Sequence, residues 1–223
     1  MREHFCFLLN TPLFENIKCH DELEHMLTCI GAYTVSFSKG DYISLSGESL
    51  RCIGLVVTGT VHMLKEDIWG SKAIYMIIHE KEVFGETFIC SSHFSATVSF
   101  YAATDCKILF MPFKKVMYTC SRACTFHHQL IENMVTLIAN KNVQLMEKME
   151  IMSKRTLREK ILTYLSQQAL INGSTYIVSP MSRLEMADYF CVNRSALTRE
   201  LSNMKLEGLL DYDKNTFRLL KPL

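Results

Sequence analysis

The distribution of glycine constrains the fold more than any other feature of this sequence. Seven of the nine glycines lie between Gly31 and Gly85, and only Gly173 and Gly208 follow. Because glycine adopts the positive φ angles of tight turns at little cost, the first half of the chain is predicted to turn often. Short β-branched and aromatic segments lie between these glycines, at the spacing of an antiparallel barrel or sandwich.

A long helix is predicted from about Met117, because neither glycine nor proline interrupts the chain before Gly173. Within it, apolar residues follow alternating steps of four and three around a single asparagine, as in the seam of a two-stranded coiled coil. This predicted dimer interface contains Ile131, Val135, Ile138, Asn142, Leu145, Met149 and Met152. The alternative is an amphipathic helix packed on its own barrel, and a neighbouring stripe suits that role: Leu130, Met134 and Leu137.

Composition is typical of a globular protein. The 223 residues are 48% hydrophobic and 21% charged, which is enough to bury a core and excludes a disordered, collagen-like or purely coiled-coil chain. No apolar run approaches the roughly 18 residues of a membrane span, and no secretory signal is recognisable, so we expect a cytoplasmic protein. The nine cysteines are an odd number without C-x-x-C spacing, which favours reduced thiols.

The C-terminal third combines positive charge with the start signals of three helices. Residues 153–223 carry a net charge of +4 and residues 1–152 one of −3, which suggests an anionic partner for the C-terminal end. Capping boxes are predicted at Thr156 with Glu159 and at Ser182 with Glu185, while Asn193 is placed to cap the next helix. A similar pattern at Asp21 and Glu24 predicts a short capped helix near the start of the chain.

The helix after Asn193 is predicted to read DNA. Leu197, Leu201 and Met204 have the spacing of a buried face, whereas the opposite face carries side chains that can bond to base edges. The predicted DNA-binding residues are Arg183, for phosphate, with Asn193, Arg194, Ser195, Thr198 and Arg199. The alternative is an ordinary solvated face. The tight turn before the helix and the hairpin pattern over residues 209–220 favour a winged helix-turn-helix.

The segment from Ser182 to Leu210 resembles the winged helix-turn-helix of the Crp/Fnr transcription regulators. Upstream motifs are similar to successive turns of that family's cyclic-nucleotide-binding-like sensor domain: Phe37-Ser-Lys-Gly-Asp41, Gly47-Glu48, Gly54-Leu-Val-Val-Thr-Gly-Thr-Val61, Val83-Phe-Gly-Glu86 and Ala102-Ala-Thr-Asp-Cys106. The resemblance covers nearly the whole chain. It implies an α+β fold with a jelly-roll β-barrel sensor domain over 1–125, a dimerisation helix over 126–152 and a winged helix-turn-helix over 153–223.

The function implied by this resemblance is a homodimeric, sequence-specific transcription regulator of double-stranded DNA with a palindromic operator. The barrel would sense an unidentified small-molecule effector or a redox signal. RNA polymerase would be a further partner if the regulator is an activator, and no membrane partner is expected.

The effector pocket departs from the family's pattern. The resemblance places this pocket at Gly85, Glu86, Ala96 and Thr97. Cyclic-nucleotide binders of this fold carry an arginine roughly ten residues after their Gly-Glu pair, because the cyclic phosphate needs a charged partner. Here that place lies at or beside Ala96, and no arginine occurs between Arg51 and Arg122. We therefore expect no cyclic AMP binding, and Glu86 is either a ligand contact or a structural residue of the barrel.

A haem- or metal-dependent gas sensor on the same scaffold is the main alternative. Two pairs of candidate ligands lie four residues apart: His25 with Cys29, and Cys120 with Cys124. Cysteines are more often small buried residues, and the wide spacing of the N-terminal cysteines lacks the signature of an iron–sulfur cluster. We expect no cofactor and no metal ligands, with haem or an iron–sulfur cluster left as the alternative.

A cupin-like enzyme is the remote alternative. Such an enzyme needs clustered histidines and a carboxylate inside the barrel, but the histidines of the sheet region are isolated from one another: His62, His79 and His93. We therefore predict no catalytic residues and no enzymatic activity.

Overall fold

The computed structural model describes residues 5–17, 19–90, 95–117 and 125–220. Contacts divide the chain into two compact units. The first contains Met1–Lys65 and Met76–Asn142, and the second contains Glu66–Tyr75 and Val143–Leu223. No helix in the described ranges is long and apolar enough to cross a membrane.

After an N-terminal helical segment, strands dominate as far as the long helix, and helices dominate afterwards. The helices are α1 Phe5–Leu9, α2 His20–Ile30, α3 Glu86–Ile89, α4 Phe113–Met117, α5 Thr125–Ser153, α6 Leu157–Asn172, α7 Arg183–Phe190 and α8 Arg194–Leu206, with a 3-10 turn at Pro12–Phe14. The strands are β1 Tyr33–Phe37, β2 Tyr42–Ser44, β3 Cys52–Thr58, β4 Val61–Glu66, β5 Lys72–Ile78, β6 Val83–Phe84, β7 Ser99–Ala102, β8 Cys106–Pro112, β9 Tyr176–Val178, β10 Leu210–Asp213 and β11 Thr216–Leu219.

The antiparallel fold predicted for the N-terminal part of the chain is confirmed. In the described part of the chain its strands form two four-stranded sheets, β1-β8-β3-β6 and β2-β7-β4-β5, rather than one closed barrel. Val35 pairs with Ile108 in the first sheet, and His62 pairs with Tyr101 in the second. Apolar residues of both sheets share one core, so the two sheets pack face to face as in a jelly roll.

Strand β3 has an apolar sequence without alternation because both of its faces are buried. Ile53 and Leu55 pack with the helices on one side of the sheet, whereas Val56 packs against the other sheet, so both faces of the strand are buried. Gly54 lies where a β-carbon would come within 2.3 Å of the ring of Phe84. The strand therefore needs glycine at this position for packing rather than for a turn.

Helix α2 corrects one predicted start. The helix begins at His20 with Cys19 at the N-cap position and without a capping side-chain hydrogen bond, so the predicted capping box at Asp21 and Glu24 is wrong. Asp21 lies instead in the first turn, where its negative charge faces the positive end of the helix dipole. The signal was ambiguous because an acidic residue suits both positions.

Helix α5 packs on the first unit through the stripe that the sequence offered for that role. Leu130 and Met134 are buried in the core, and Leu137 packs against it. Asn133 adds a polar anchor, since its amide nitrogen donates to the backbone oxygens of Leu13 and Glu15 at 3.0 Å each. The side of the helix that carries the predicted dimer residues is thus left free of this core.

The second unit has the predicted winged arrangement. Strands β10, β11 and β9 form a three-stranded antiparallel sheet, with Phe217 paired to Tyr212 on one side and Ile177 on the other. The capping boxes at Thr156 and Ser182 are both confirmed. Each fixes the start of a helix through hydrogen bonds between residues only three positions apart.

Candidate nucleic-acid interface and effector site

Helix α8 has one buried and one exposed face. Leu197, Leu201 and Met204 are fully buried. The predicted DNA-reading residues Arg194, Ser195, Thr198 and Arg199 are all exposed. The hydroxyl of Thr198 donates to the backbone oxygen of Arg194 at 2.9 Å, which fixes its rotamer against the helix. Asn193 occupies the predicted N-cap position, but its side chain makes no capping hydrogen bond.

The turn between α7 and α8 is short because Cys191 adopts a left-handed conformation. Its φ of 56° lets its backbone N–H bond to the last turn of α7, so that only Cys191 and Val192 separate the end of α7 from Asn193. A non-glycine residue with this conformation is uncommon and was not signalled by the sequence. The two helices therefore meet with the tight connection of a helix-turn-helix.

Arg183 is held by the wing. Its guanidinium donates to the backbone oxygen of Lys214 at 2.7 Å and stacks on the rings of Tyr212 and Phe217, 5.1 and 5.3 Å from their centroids. Burial lowers the pKa of Arg183 from its ordinary value. Arg183 thus joins the start of α7 to the wing hairpin. Its phosphate contact stays a prediction, made by a side chain that already has an intramolecular role.

Two ion pairs that the sequence did not reveal fix α8 against α6. Arg158 donates to Glu200 at 2.6 Å and to both carboxylate oxygens of Glu207 at 2.7 and 2.8 Å. The hydrogen bonds that Arg158 donates to Glu207 and Glu200 raise its pKa above the ordinary value. Because Arg158 binds the carboxylates of both Glu200 and Glu207, it fixes the orientation of α8 against α6 within the second unit.

Glu86 in the first unit is held by a lysine of α5. It is 1% exposed, and its Oε1 accepts a hydrogen bond from Lys141 Nζ at 2.8 Å. Lys141 also donates to the backbone oxygen of Val83. These contacts agree with the structural interpretation of Glu86, and they join α3 to α5. Of the other predicted pocket residues, Ala96 is fully buried and Thr97 is exposed.

A cavity of about 370 Å³ lies between the two sheets on the side of β1 and β2. Aromatic rings line it, together with a few polar residues: Tyr33, Phe37, Phe84, Phe110, Glu48 and Arg51. Gly85 is the one member of the predicted effector pocket that contributes to its wall. The sequence missed this cavity because its lining comes from segments that are separated by up to about 75 residues and share no motif.

Residues 34–123 match the family described as the cyclic nucleotide-binding domain. Solved structures with a similar fold extend beyond that range. FixK2 from Bradyrhizobium japonicum is 21% identical with a TM-score of 0.65, over 85% of this chain and 93% of that chain. The c-di-GMP responsive global regulator CLP from Xanthomonas campestris is 14% identical with a TM-score of 0.71, over 90% and 98% of the two chains.

A third similar structure is a transcriptional regulator of the CRP/FNR family from Thermus thermophilus. It is 16% identical with a TM-score of 0.61, over 85% of this chain and 94% of that chain. This chain has the Crp/Fnr fold. No curated protein matches the sequence.

In this Crp/Fnr fold the predicted dimer residues lie on a face of α5 that is open to solvent or partly so. Val135 is 63% exposed and Met149 is 71% exposed, while Ile138 and Leu145 are partly buried. Exposed apolar side chains along one face of a helix are typical of a surface that binds another protein chain. The dimer itself stays a prediction.

The residues suggested as ligands for a metal or haem sensor lie partly outside the described ranges. No group of three or more His, Cys, Asp or Glu side chains in them is arranged to hold a metal ion. His25 and Cys29 are both exposed on α2. Cys120, Cys124 and His93 lie outside the described residues.

Proposed function

We propose that this chain is a dimeric, sequence-specific DNA-binding transcription regulator whose first unit senses a small-molecule effector or a redox signal. The observation that carries the proposal is helix α8. Its apolar face is completely buried, and its opposite face presents Arg194, Ser195, Thr198 and Arg199 to solvent. A rigid helix with two free arginines near its N-terminal end suits the major groove, where arginine makes bidentate bonds to guanine.

The parts of the proposed regulator follow the predicted division. Residues 1–125 form the sensor, 126–152 the dimerisation helix and 153–223 the DNA-binding region. The apolar face of α5 supports a two-fold dimer, and a two-fold dimer binds a palindrome with half-sites about one helical turn apart, roughly 34 Å. RNA polymerase becomes a further partner where the operator lies at an activating position.

The proposed effector is not cyclic AMP. A buried cyclic phosphate requires a cation, and the ammonium of Lys141, which lies beside Glu86, is already bound to Glu86 and to the carbonyl of Val83. Signals other than cyclic AMP are compatible with the fold, since CLP is described as responsive to c-di-GMP. The proposal includes no cofactor, no metal site and no enzymatic activity.

The experiment begins with selection of a preferred operator from random double-stranded DNA by the purified full chain. Fluorescence anisotropy then compares the selected site with a scrambled site. We expect Arg194→Ala and Arg199→Ala each to cost about 1–3 kcal/mol on the selected site and far less on the scrambled site. Failure to enrich any sequence would overturn the proposal.

The matched control is Lys39→Ala, which removes an exposed positive charge from the first unit. We expect its affinity for the selected site to equal that of the unmodified chain. If both arginine variants weaken binding equally on the selected and scrambled sites, the arginines bind phosphate and do not read bases.

A further inference from the structure

We propose that the cavity between the two sheets binds an aromatic α-amino acid as a zwitterion. This inference rests on the proposed function, since it names the effector class of the sensing unit. It departs from the pocket that the resemblance implies, because Glu86, Ala96 and Thr97 do not line this cavity. The argument rests on the cavity's size, its rings and its charges.

The size and the rings of the cavity select a flat apolar group. Its volume of about 370 Å³ falls within the range of small-molecule sites in proteins, about 300–1,000 Å³. Phe110 lies at the centre of the aromatic wall, with ring centroids 5.6 Å from Tyr33 and 6.3 Å from both Phe37 and Phe84. A further aromatic ring gains both apolar burial and favourable ring contacts among these side chains.

The polar lining selects the two charges of an amino acid. Arg51 lines the cavity, is exposed, and has no ion pair among the described residues, so its guanidinium is available to a carboxylate. Glu48 lines the same cavity and accepts from the backbone N–H of Leu45 at 2.8 Å through Oε2, which leaves Oε1 for an ammonium group. A carboxylic acid without an amine would leave Glu48 without a charged partner.

Ser44 supplies the third polar group. Ser44 lines the cavity, and its Oγ is buried and has no hydrogen-bond partner in the described part of the chain. A buried hydroxyl without a partner is costly, and a rotation of the Ser44 side chain toward the cavity would let a polar ligand group satisfy it. The cavity therefore offers an aromatic wall, one cation, one anion and one unsatisfied hydroxyl.

Isothermal titration calorimetry of the full chain tests the proposal with defined probes. L-Phenylalanine, L-tyrosine and L-tryptophan are compared with 3-phenylpropionate, which lacks the ammonium group, and 2-phenylethylamine, which lacks the carboxylate. We expect at least one amino acid to bind, and both truncated probes to bind about tenfold more weakly or not at all, since a lost charged hydrogen bond is worth about one factor of ten or more. Cyclic AMP serves as a comparison probe and is expected to give no binding heat.

Substitutions at two exposed residues test which side chain binds each charge of the amino acid, with little risk to the fold. Arg51→Gln is expected to weaken amino-acid binding about tenfold. Glu48→Gln is expected to weaken it several-fold while keeping an acceptor for Leu45 N–H. Lys39→Gln is the matched control and is expected to leave the affinity unchanged. Absence of binding by all three amino acids, equal binding of 3-phenylpropionate, or an unchanged affinity of Arg51→Gln would overturn the proposal.

The binding readout is independent of the DNA readout. If an amino acid binds as expected and the chain selects no DNA sequence, the proposed function fails while the cavity assignment stands. If the chain selects an operator and no amino acid binds, the cavity assignment alone fails.

Discussion

Glu86 is the only carboxylate side chain in the described residues that is almost fully buried, and Lys141 is the cation that neutralises it. A buried ion pair gains little over an apolar pair of similar size, but removing one partner leaves an uncompensated charge. Helix α5 is therefore attached to α3 by the Lys141–Glu86 ion pair as well as to the core by its apolar stripe. Removing one charge or both distinguishes the electrostatic contribution of this pair from its contribution to packing.

We expect Lys141→Met to lower the free energy of unfolding by about 3–5 kcal/mol, because Glu86 is left buried without a cation. The double variant Glu86→Gln with Lys141→Met is expected to recover most of that loss. Urea denaturation followed by circular dichroism measures both. The exposed Lys39→Met is the control, and a loss below about 1 kcal/mol in Lys141→Met would show that Glu86 is solvated.

Lys148, unlike Lys141, is buried beside a backbone carbonyl and not beside a carboxylate. Its ammonium donates to the backbone oxygen of Tyr189 and lies over the ring of that residue. Burial lowers the pKa of Lys148 to about 7, with the charge of Cys191 opposing this effect and that of Lys160 adding to it. The side chain thus connects the C-terminal part of α5 to the end of α7 and titrates near neutral pH.

The pKa of Lys148 fixes the sign of a pH dependence. Between about pH 7 and its ordinary value of 10.5, the unfolded chain holds one proton more than the folded chain, so stability rises with pH. We expect the unmodified chain to gain stability from pH 7 to 9 relative to Lys148→Met, by at most about 1.4 kcal/mol per pH unit. Parallel pH profiles of the two proteins in urea denaturation would contradict this.

At the scale of the element, the start of α7 and the start of α8 offer a matched comparison. Ser182 and Glu185 exchange two hydrogen bonds at the first start, of 3.3 and 2.7 Å. Asn193 holds the corresponding position at the second start without a side-chain bond. We expect Ser182→Ala to cost about 1 kcal/mol of stability and Asn193→Ala only a few tenths, as measured by thermal unfolding.

DNA affinity separates the two roles of these caps. If Asn193 contacts DNA as predicted, Asn193→Ala weakens binding to the selected operator without a matching loss of stability. An equal loss of stability in both variants would mean that Asn193 caps α8 in solution.

The elements that the sequence predicted correctly share a local cause. The capping boxes of α6 and α7 and the glycine after α6 depend on residues within one or two helical turns of each other. The contacts that were missed join distant positions. Arg158 meets Glu200 and Glu207 at separations of 42 and 49 residues, and Asn133 meets Leu13 at 120. The periodicity of a single sequence does not indicate which of two residues so far apart will be in contact.

The candidate sites divide in the same way. The exposed arginines of α8 followed from helical spacing, because a face is determined within the helix itself. The aromatic cavity did not, since β1, the segment after β2, β6 and β8 each contribute one or a few lining residues. Glu86 was found as a motif residue, but Lys141, its partner, lies 55 residues away.

At the scale of the whole molecule, α5 is divided between the two units, as strands β4 and β5 also are. Asn142 ends its share of the first unit and Val143 begins its share of the second. The predicted seam runs along the helix on either side of this point. Val135 on one side and Met149 on the other are among its most exposed apolar residues. A dimer through this seam would bury the apolar side chains of both portions of α5. The two copies of α8 would then be related by one two-fold axis.

We expect the full chain to sediment as a dimer at micromolar concentration, and Val135→Glu and Met149→Glu each to shift it toward the monomer, because a buried unpaired carboxylate opposes association. Val143→Glu is the matched control: Val143 is 54% exposed on the same helix but lies outside the predicted seam. All three positions are exposed in the single chain, so none of the substitutions disturbs its core. The monomeric variants are expected to lose affinity for the palindromic operator while keeping their weak affinity for a single half-site, measured by fluorescence anisotropy. If Val143→Glu dissociates the dimer and the two seam variants do not, the chains associate through a different face of α5.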